Sequence, residues 1–278
     1  MVKKWILCPD CKLHLHYTGK EFICKKCKRK FKKIKGVLSL LSKNTVAKSW
    51  ERIELPLVLG DRGRRYRLFL QFLSKHKDLF KGRVLEIGAD VCGISAMIKD
   101  RTKAKFVVAV DKARNILERG VKVAPVLGKK PDFIIQADIE NLPFTDNFFD
   151  VIVDSSSIHH TDISKAIREV SRCLKKGGYL FCFQEPVSSS VCGRLYWRIR
   201  KRMGRGPMVL TSRVYSVRRW KRELKRNNFR EIQITFCKDT RVVTPTLLNL
   251  LYYKLLNMLP NIFIAKFLFG KATIVARK

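Results

Sequence analysis

Between Arg83 and Pro186 the sequence repeats one pattern, in which a short apolar run ends at a turn or an acidic residue. Runs of this length are typical of buried strands, and apolar residues at helical spacing separate most of them. Strands that alternate with helices predict a doubly wound, mostly parallel sheet. The predicted strands of this α/β domain number seven and lie at 83–87, 106–110, 132–136, 149–153, 178–184, 230–237 and 271–277; the clearest helices lie at 162–174 and 217–227.

The first strand runs directly into a glycine-containing turn. Val84-Leu85-Glu86-Ile87-Gly88 continues as Ala89-Asp90-Val91-Cys92-Gly93, after which a helical pattern begins. A turn of this kind brings backbone close to a ligand, and the amino end of the following helix favours anionic groups. The stretch therefore predicts a nucleotide-type ligand at the carboxyl end of the first strand.

Two further acidic residues follow later strands of the same sheet. Asp111 ends the second strand, where a carboxylate can accept hydrogen bonds from both hydroxyls of a ribose. Asp138 and Ile139 lie in the run Gln136-Ala137-Asp138-Ile139-Glu140-Asn141-Leu142-Pro143-Phe144 after the third strand. Any one of these acids is also compatible with a helix cap or a solvated loop. Their order along the chain favours a shared ligand.

Residues 81–186 resemble class I S-adenosylmethionine (SAM) methyltransferases, in particular the ubiquinone- and menaquinone-type domain. The resemblance implies SAM as the cofactor. It implies that Glu86 meets the methionine amino group, with Gly88 passing close to the methionine and ribose. Asp111 would accept the ribose hydroxyls, while Asp138 accepts from the adenine amino group and Ile139 packs on the ring.

The turn departs from the pattern of this family at two positions. Asp90 and Cys92 stand where the family has its second and third glycines, and Gly93 follows one residue late. A Cβ atom at Asp90 crowds the approach of a ligand. The alternative hypothesis is therefore a non-catalytic, basic zinc-ribbon binding protein with a degenerate SAM site.

Candidates for the acceptor side come from the fourth and fifth strands. His159 and His160 follow the fourth strand, and Glu185 lies at the end of the fifth strand. In the resembling fold this edge faces the transferable methyl group. A neutral imidazole can orient the acceptor or take its proton near pH 7. A purely structural role for the histidine pair is an equal alternative.

The first 40 residues contain two C-x-x-C pairs, Cys8 with Cys11 and Cys24 with Cys27. Each pair can turn two thiolates toward one ion, and four thiolates complete a tetrahedral Zn²⁺ site. We therefore predict a zinc ribbon over residues 1–40, built on a hairpin around Thr18-Gly19. A helical connector follows over residues 41–80, and residues 81–278 form the methyltransferase domain.

The charge of the chain predicts an anionic partner. Lys and Arg number 59 against 23 acids, a formal charge of +36, and RNA and an acidic membrane surface are the two alternatives. A basic and hydrophobic helical insertion is expected at about 187–270, with basic-aromatic runs at 194–205 and 218–230. Its apolar part, 246–269, favours either peripheral membrane contact or a core, lid or dimer role. We expect a cytoplasmic protein, with the membrane periphery as an alternative site.

Overall fold

The helices and strands follow the predicted α/β order along the chain. The computed structural model describes residues 4–47, 63–188, 213–237, 258 and 269–278. The strands are β1 Leu15–Tyr17, β2 Glu21–Cys24, β3 Lys30–Ile34, β4 Val37–Ser39, β5 Lys81–Ile87, β6 Lys103–Asp111, β7 Phe133–Gln136, β8 Phe149–Asp154, β9 Leu174–Ser188, β10 Arg230–Cys237 and β11 Phe269–Arg277. The helices are α1 Gly63–His76, α2 Gly93–Arg101, α3 Arg114–Leu127, α4 Ile163–Cys173 and α5 Val217–Arg226.

The strands of the described residues all belong to one sheet, with the order β1-β2-β3-β4-β7-β6-β5-β8-β9-β11-β10. From β4 to β9 neighbouring strands are parallel, whereas β11 pairs antiparallel with both β9 and β10. Each of the seven strands predicted between residues 81 and 278 is present. The predicted doubly wound arrangement of these seven strands is therefore confirmed.

Side chains of the central strand β5 alternate between two apolar layers, as the two-residue period of a strand requires. Val84 packs in a layer with residues of α1 and α2, including Phe69. Leu85 and Ile87 pack in the other layer, which contains residues of α4 and α5, including Trp220. Because both faces are covered, the last four residues of the strand are buried, and they are apolar except for Glu86.

The amino-terminal hairpins extend the sheet directly, which the sequence analysis did not anticipate. Strand β4 pairs parallel with β7 at Leu38↔Ile135 and Ser39↔Gln136. Ser39 Oγ donates to Gln136 Oε1 at 2.7 Å. Trp5 is buried in an aromatic cluster, with ring centroids 5.2–5.5 Å from Phe106, Phe133, Phe144 and Phe148. The cysteine-containing part and the sheet thus share one core.

Several expectations fall outside the described residues. The basic-aromatic run at 194–205 lies wholly outside them, as does 246–269 apart from residues 258 and 269. The boundaries drawn at 40 and 80 remain predictions. Among the described residues, no helix combines the length and the apolar character needed to cross a membrane.

Candidate active site and cysteine cluster

Two acids, the buried Glu86 and the half-buried Asp111, lie at the carboxyl ends of β5 and β6, and both are anchored to backbone amides. Glu86 Oε2 accepts from the Ser95 N–H in the first turn of α2 at 2.8 Å. Asp111 Oδ2 accepts from the Asp90 N–H at 3.0 Å, and Asp111 Oδ1 accepts from the Ala113 N–H at 2.9 Å. These contacts fix the glycine turn between the two strands and orient both carboxyl groups.

Burial makes this edge of the sheet a costly place for negative charge. It raises the pKa of Glu86 to about 8, with the hydrogen bonds from Ser95 opposing the shift and the charges of Asp90 and Asp111 adding to it. Burial also raises the pKa of Asp111. No basic side chain is hydrogen-bonded to either carboxyl group among the described residues. A cationic ligand group placed here would favour the ionised acids.

At Asp90 and Cys92, the two positions that depart from the family pattern, the backbone has a conformation that is typical of glycine. Gly88, Asp90 and Cys92 have φ values of 64°, 50° and 57°, all in the left-handed region. Asp tolerates this conformation better than most residues, whereas for Cys it costs about 1–2 kcal/mol. The turn therefore keeps a left-handed backbone at these two positions at the cost of strain.

Side chains from two other segments fill the space beside the turn. The cavity there has a volume of about 10 Å³, enough for roughly one water molecule. A Cβ atom built on Gly93 would overlap the Tyr66 ring of α1, and one on Gly88 would overlap the Ser157 side chain. Both side chains must shift for a ligand to occupy this position.

Two buried polar atoms at the end of β8 lack a hydrogen-bond partner in the described part of the protein. Ser155 Oγ and Asp154 Oδ2 are buried without a hydrogen-bond partner among the described residues, and Ser155 lines the cavity itself. Unpaired buried polar atoms are costly unless a ligand or water meets them. With the buried acids and the glycine turn, they fit a polar, cationic ligand such as the methionine end of SAM.

The loop after β7 carries the other predicted cofactor residues and rests on the cysteine-containing part. Asp138 Oδ2 lies 2.7 Å from Lys112 Nζ, and Ile139 is buried. Asn141 Nδ2 donates to the Pro9 carbonyl at 3.1 Å, and the Leu7 N–H donates to the Pro143 carbonyl at 2.9 Å. The position of this loop therefore depends on the fold of the first cysteine pair.

His159, Glu185 and Asp154 form a buried cluster at the ends of β8 and β9. His159 Nδ1 lies 3.1 Å from Glu185 Oε2, while Glu185 Oε1 accepts from the Ile158 N–H at 3.0 Å. Burial lowers the pKa of His159 to about 4, so its imidazole is neutral at pH 7. Burial and the neighbouring Glu185 raise the pKa of Asp154 well above its ordinary value. The His160 ring lies 3.9 Å from that of His159.

The four cysteines of the two C-x-x-C pairs converge on one point. The sulfur atoms of Cys8, Cys11, Cys24 and Cys27 all lie within 4.8 Å of one another. The separation between Cys8 and Cys27 is 3.7 Å, close to the roughly 3.8 Å edge of a tetrahedron with zinc–sulfur bonds of about 2.3 Å. The donor set and its spacing fit a structural Zn²⁺ ion.

Both cysteine pairs adopt the same backbone turn. The residue after each pair, Lys12 or Lys28, has a left-handed φ, and its N–H donates to the carbonyl of the first cysteine at 2.9 Å. His14 and His16 are exposed on the first hairpin and are not members of the cluster.

The structure brings together most of the residues singled out from the sequence, in two groups. Glu86, Gly88 and Asp111 share one edge with the Asp138–Ile139 loop, and His159, His160 and Glu185 lie at the adjoining strand ends. Sequence reasoning missed Asp154 and Tyr66. Asp154 ends an apolar strand as Asp111 does, which is a usable signal, whereas nothing local connects Tyr66 to the glycine turn.

Comparison with known proteins shows which family the central part of this site is similar to. Residues 85–182 match the family model described as a methyltransferase domain. The methyltransferase domain thus contains Glu86, Asp111, Asp138 and His159. Glu185 and the cysteine cluster lie outside the matched residues.

Curated relatives are similar to this chain over part of its length. The chain is 35% identical to the uncharacterized methyltransferase YcgJ of Bacillus subtilis over 97 residues, which is 34% of this chain and 38% of that protein. It is 45% identical to the ubiquinone/menaquinone biosynthesis C-methyltransferase UbiE of Idiomarina loihiensis over 60 residues, 20% of this chain and 24% of that protein. The matches thus span less than half of either relative.

Solved methyltransferase structures resemble this chain over a larger part of its length than the curated relatives do. The structure of Bacillus subtilis YcgJ aligns with a TM-score of 0.55 at 19% identity, over 76% of this chain and 97% of that chain. Phosphoethanolamine N-methyltransferase 2 of Haemonchus contortus, bound to S-adenosylhomocysteine (SAH), aligns with a TM-score of 0.57 at 16% identity. The latter alignment covers 77% of this chain and 52% of that chain. At these identities the likeness concerns the fold.

Replacement of Asp90 tests the strain in the glycine turn. Asp90→Gly should raise the free energy of unfolding by about 1 kcal/mol, because glycine adopts a left-handed φ without strain and the nearby acids lose a like charge. Asp90→Asn is the matched control, since it removes the charge and retains the tolerance for this conformation. Urea unfolding measures both. If the glycine variant were less stable than the asparagine variant, the claim that the backbone at position 90 is strained would be wrong.

The raised pKa of Glu86 predicts a specific pH dependence of stability. The folded pKa of about 8 lies above the ordinary value of 4.5, so the stabilisation is full below pH 4.5 and is lost as the pH rises toward 8. Between these values the wild type should lose up to about 1.4 kcal/mol per pH unit relative to Glu86→Gln. Unfolding free energies measured from pH 5 to 8 check this, and a constant difference would refute it.

Proposed function

We propose that this protein is a methyltransferase that transfers the methyl group of SAM to a nucleophilic acceptor. The observation that carries the proposal is the gathering of Glu86, Asp111 and the Asp138 loop at one edge of a methyltransferase-fold sheet. The family match over residues 85–182 supports the same reaction class. When bound, SAM supplies an electrophilic methyl group.

In this proposal Glu86, Gly88, Asp111, Asp138 and Ile139 hold the cofactor. Glu86 ionises as it meets the methionine amino group, because a cation in contact lowers the pKa of a buried acid. Asp111 accepts from the ribose hydroxyls with the lone pairs that the two backbone amides leave open. Asp138 exchanges part of its contact with Lys112 for the adenine amino group, and Ile139 supplies apolar contact to the ring.

His159, His160 and Glu185 border the acceptor in this proposal. Nδ1–H of a neutral His159 donates to Glu185, which leaves Nε2 as a proton acceptor. Glu185 is held in turn by the Ile158 N–H, so the imidazole has a fixed orientation. Alignment of the acceptor with the methyl group contributes most to such a transfer. In this proposal His159 therefore contributes chiefly when the acceptor atom must lose a proton.

Two acceptor classes are compatible with the chain. The charge of +36 and the cysteine cluster favour RNA, whereas the relatives named as ubiquinone/menaquinone biosynthesis C-methyltransferases favour a lipid-linked or small molecule. A non-catalytic binding role is less favoured, because Asp90 and Cys92 keep the glycine-like turn.

We further propose that a Zn²⁺ ion at Cys8, Cys11, Cys24 and Cys27 supports the cofactor site. The ion would hold the first cysteine pair, whose neighbours Leu7 and Pro9 are hydrogen-bonded to the loop that follows Asp138. A segment this short depends on its metal to fold. Zn²⁺ would thus act on the adenine end of the site without contacting the cofactor.

Calorimetric titration with SAM and with SAH tests the proposed function. We expect micromolar binding of both to the zinc-replete protein, and a loss of about 10–100-fold in Asp111→Ala, because two hydrogen bonds to a charged group disappear. Asp78→Ala, an exposed acid distant from the turn, is the control and should bind normally. Absence of binding would contradict the proposal and favour the non-catalytic alternative.

Removal of the metal tests the link between the cysteine cluster and the cofactor loop. Chelation, or Cys24→Ser, should release about one Zn²⁺ per chain, weaken SAH binding roughly tenfold and speed hydrogen exchange at residues 138–144. Cys173→Ala changes a cysteine outside the cluster and should keep the metal. Release of the metal with unchanged exchange in the loop would disprove the link.

A further inference from the structure

An open groove of about 910 Å³ lies at the amino ends of the parallel strands, on the edge opposite Glu86 and Asp111. It is lined by the first residues of β5, β6 and β9 and by the last residues of β11. Strand β5 has 7 residues, so the two edges of the sheet lie about 20 Å apart. The groove is therefore separate from the candidate active site.

The side chains that line this groove are strongly basic, with Asp150 as the one acid among them. Asp150 is occupied, since its carboxylate accepts from Lys175 Nζ and from the Arg83 N–H. The basic lining residues are Lys81, Arg83, Lys103, Lys105, Lys175, Lys176 and Arg277. The groove thus carries a large excess of positive charge.

Much of this charge has no partner in the described part of the protein. Lys81 and Lys103 are register neighbours on β5 and β6 and are both exposed. Neither they nor Lys105 and Lys176 form an ion pair among the described residues. Like charges on adjacent strands destabilise a sheet. Their arrangement is unfavourable for the isolated fold and becomes favourable when an anion bridges them.

The shape of the groove and its aromatic side chains indicate which polyanion fits. Phe106 and Tyr179 are half-buried in the walls, and the Arg277 guanidinium lies 5.7 Å from the Tyr179 ring centroid. Single-stranded nucleic acids bind to basic grooves that follow the backbone and offer aromatic faces to the bases. A membrane surface instead needs a protruding face with apolar residues to insert. A concave basic groove favours the nucleic acid.

We propose that this groove binds the phosphate backbone of single-stranded RNA. The lysines of β5 and β6 contact consecutive phosphates, and Lys175, Lys176 and Arg277 extend the path toward β9 and β11. The binding does not require methyl transfer, because the groove and the candidate active site lie at opposite edges. An RNA long enough to reach around the sheet would be held here while another part enters the active site.

Fluorescence anisotropy with a labelled RNA of about 12 nucleotides tests the groove on the full chain. Lys81→Gln/Lys103→Gln should lower affinity about 10–100-fold at low salt and reduce the slope of log K against log salt by about 1.4. Lys122→Gln/Lys130→Gln removes the same charge from exposed positions outside the groove and is the matched control. It should bind RNA nearly as the wild type does.

Three further measurements separate the outcomes. Because Lys81 and Lys103 are exposed, the groove variant should keep its thermal midpoint and its SAH affinity, so failure of the groove is distinguishable from failure of the cofactor site. If both variants weakened RNA binding equally, binding would depend on charge spread over the whole surface, and the proposal that the groove binds RNA would be wrong. If the groove variant instead lost flotation with phosphatidylglycerol vesicles and bound RNA as the wild type does, the groove would bind a lipid surface and the RNA proposal would be wrong.

Discussion

The parallel pairing of β4 with β7 joins the two parts of this protein. Four thiols gather at one end of the joined unit, and the loop of Asp138 lies beside them. Trp5 completes the junction by packing among aromatic residues from β6, β7 and the segment before β8. Because backbone pairing and aromatic packing act together, the cysteine-containing part cannot change position without disturbing the sheet and the loop of Asp138.

The two edges of the sheet have opposite electrical character. Glu86, Asp111, Asp154 and Glu185 gather at the carboxyl ends of the strands, and burial raises the pKa of each. Lysines and arginines line the amino ends. A parallel sheet allows this separation because its connections place all strand starts at one edge and all strand ends at the other. The acidic edge suits the cationic cofactor, and the basic edge suits a polyanion.

The sequence predicts the strands of the sheet well because their side chains are buried on both faces. Val84-Leu85-Glu86-Ile87 and Val107-Val108-Ala109-Val110 are apolar runs of strand length, and an acid follows or interrupts each at the site. The cysteine cluster is similarly local, since each pair forms one turn. The candidate site is therefore largely predictable where a residue's role depends on its own strand.

Features that depend on distant partners were not predictable. Trp5 packs against residues that follow it by about a hundred positions or more, and no local pattern specifies that contact. Tyr66 reaches Gly93 only because α1 lies over α2. Asp150 and Lys175 meet in the groove through strand register rather than sequence spacing. These contacts arise from tertiary packing, which hydrophobic periodicity and local motifs do not predict.

Strand β4 also covers what would otherwise be the open edge of a parallel sheet. Without it, Phe133–Gln136 would present unpaired backbone amides and carbonyls beside an apolar run, a template for pairing with other chains. If the cysteine cluster holds Zn²⁺ as proposed, zinc supply would then affect solubility as well as the loop of Asp138. Newly made chains that lack the ion would self-associate through this edge, so metal loading would decide between a dispersed protein and an aggregate.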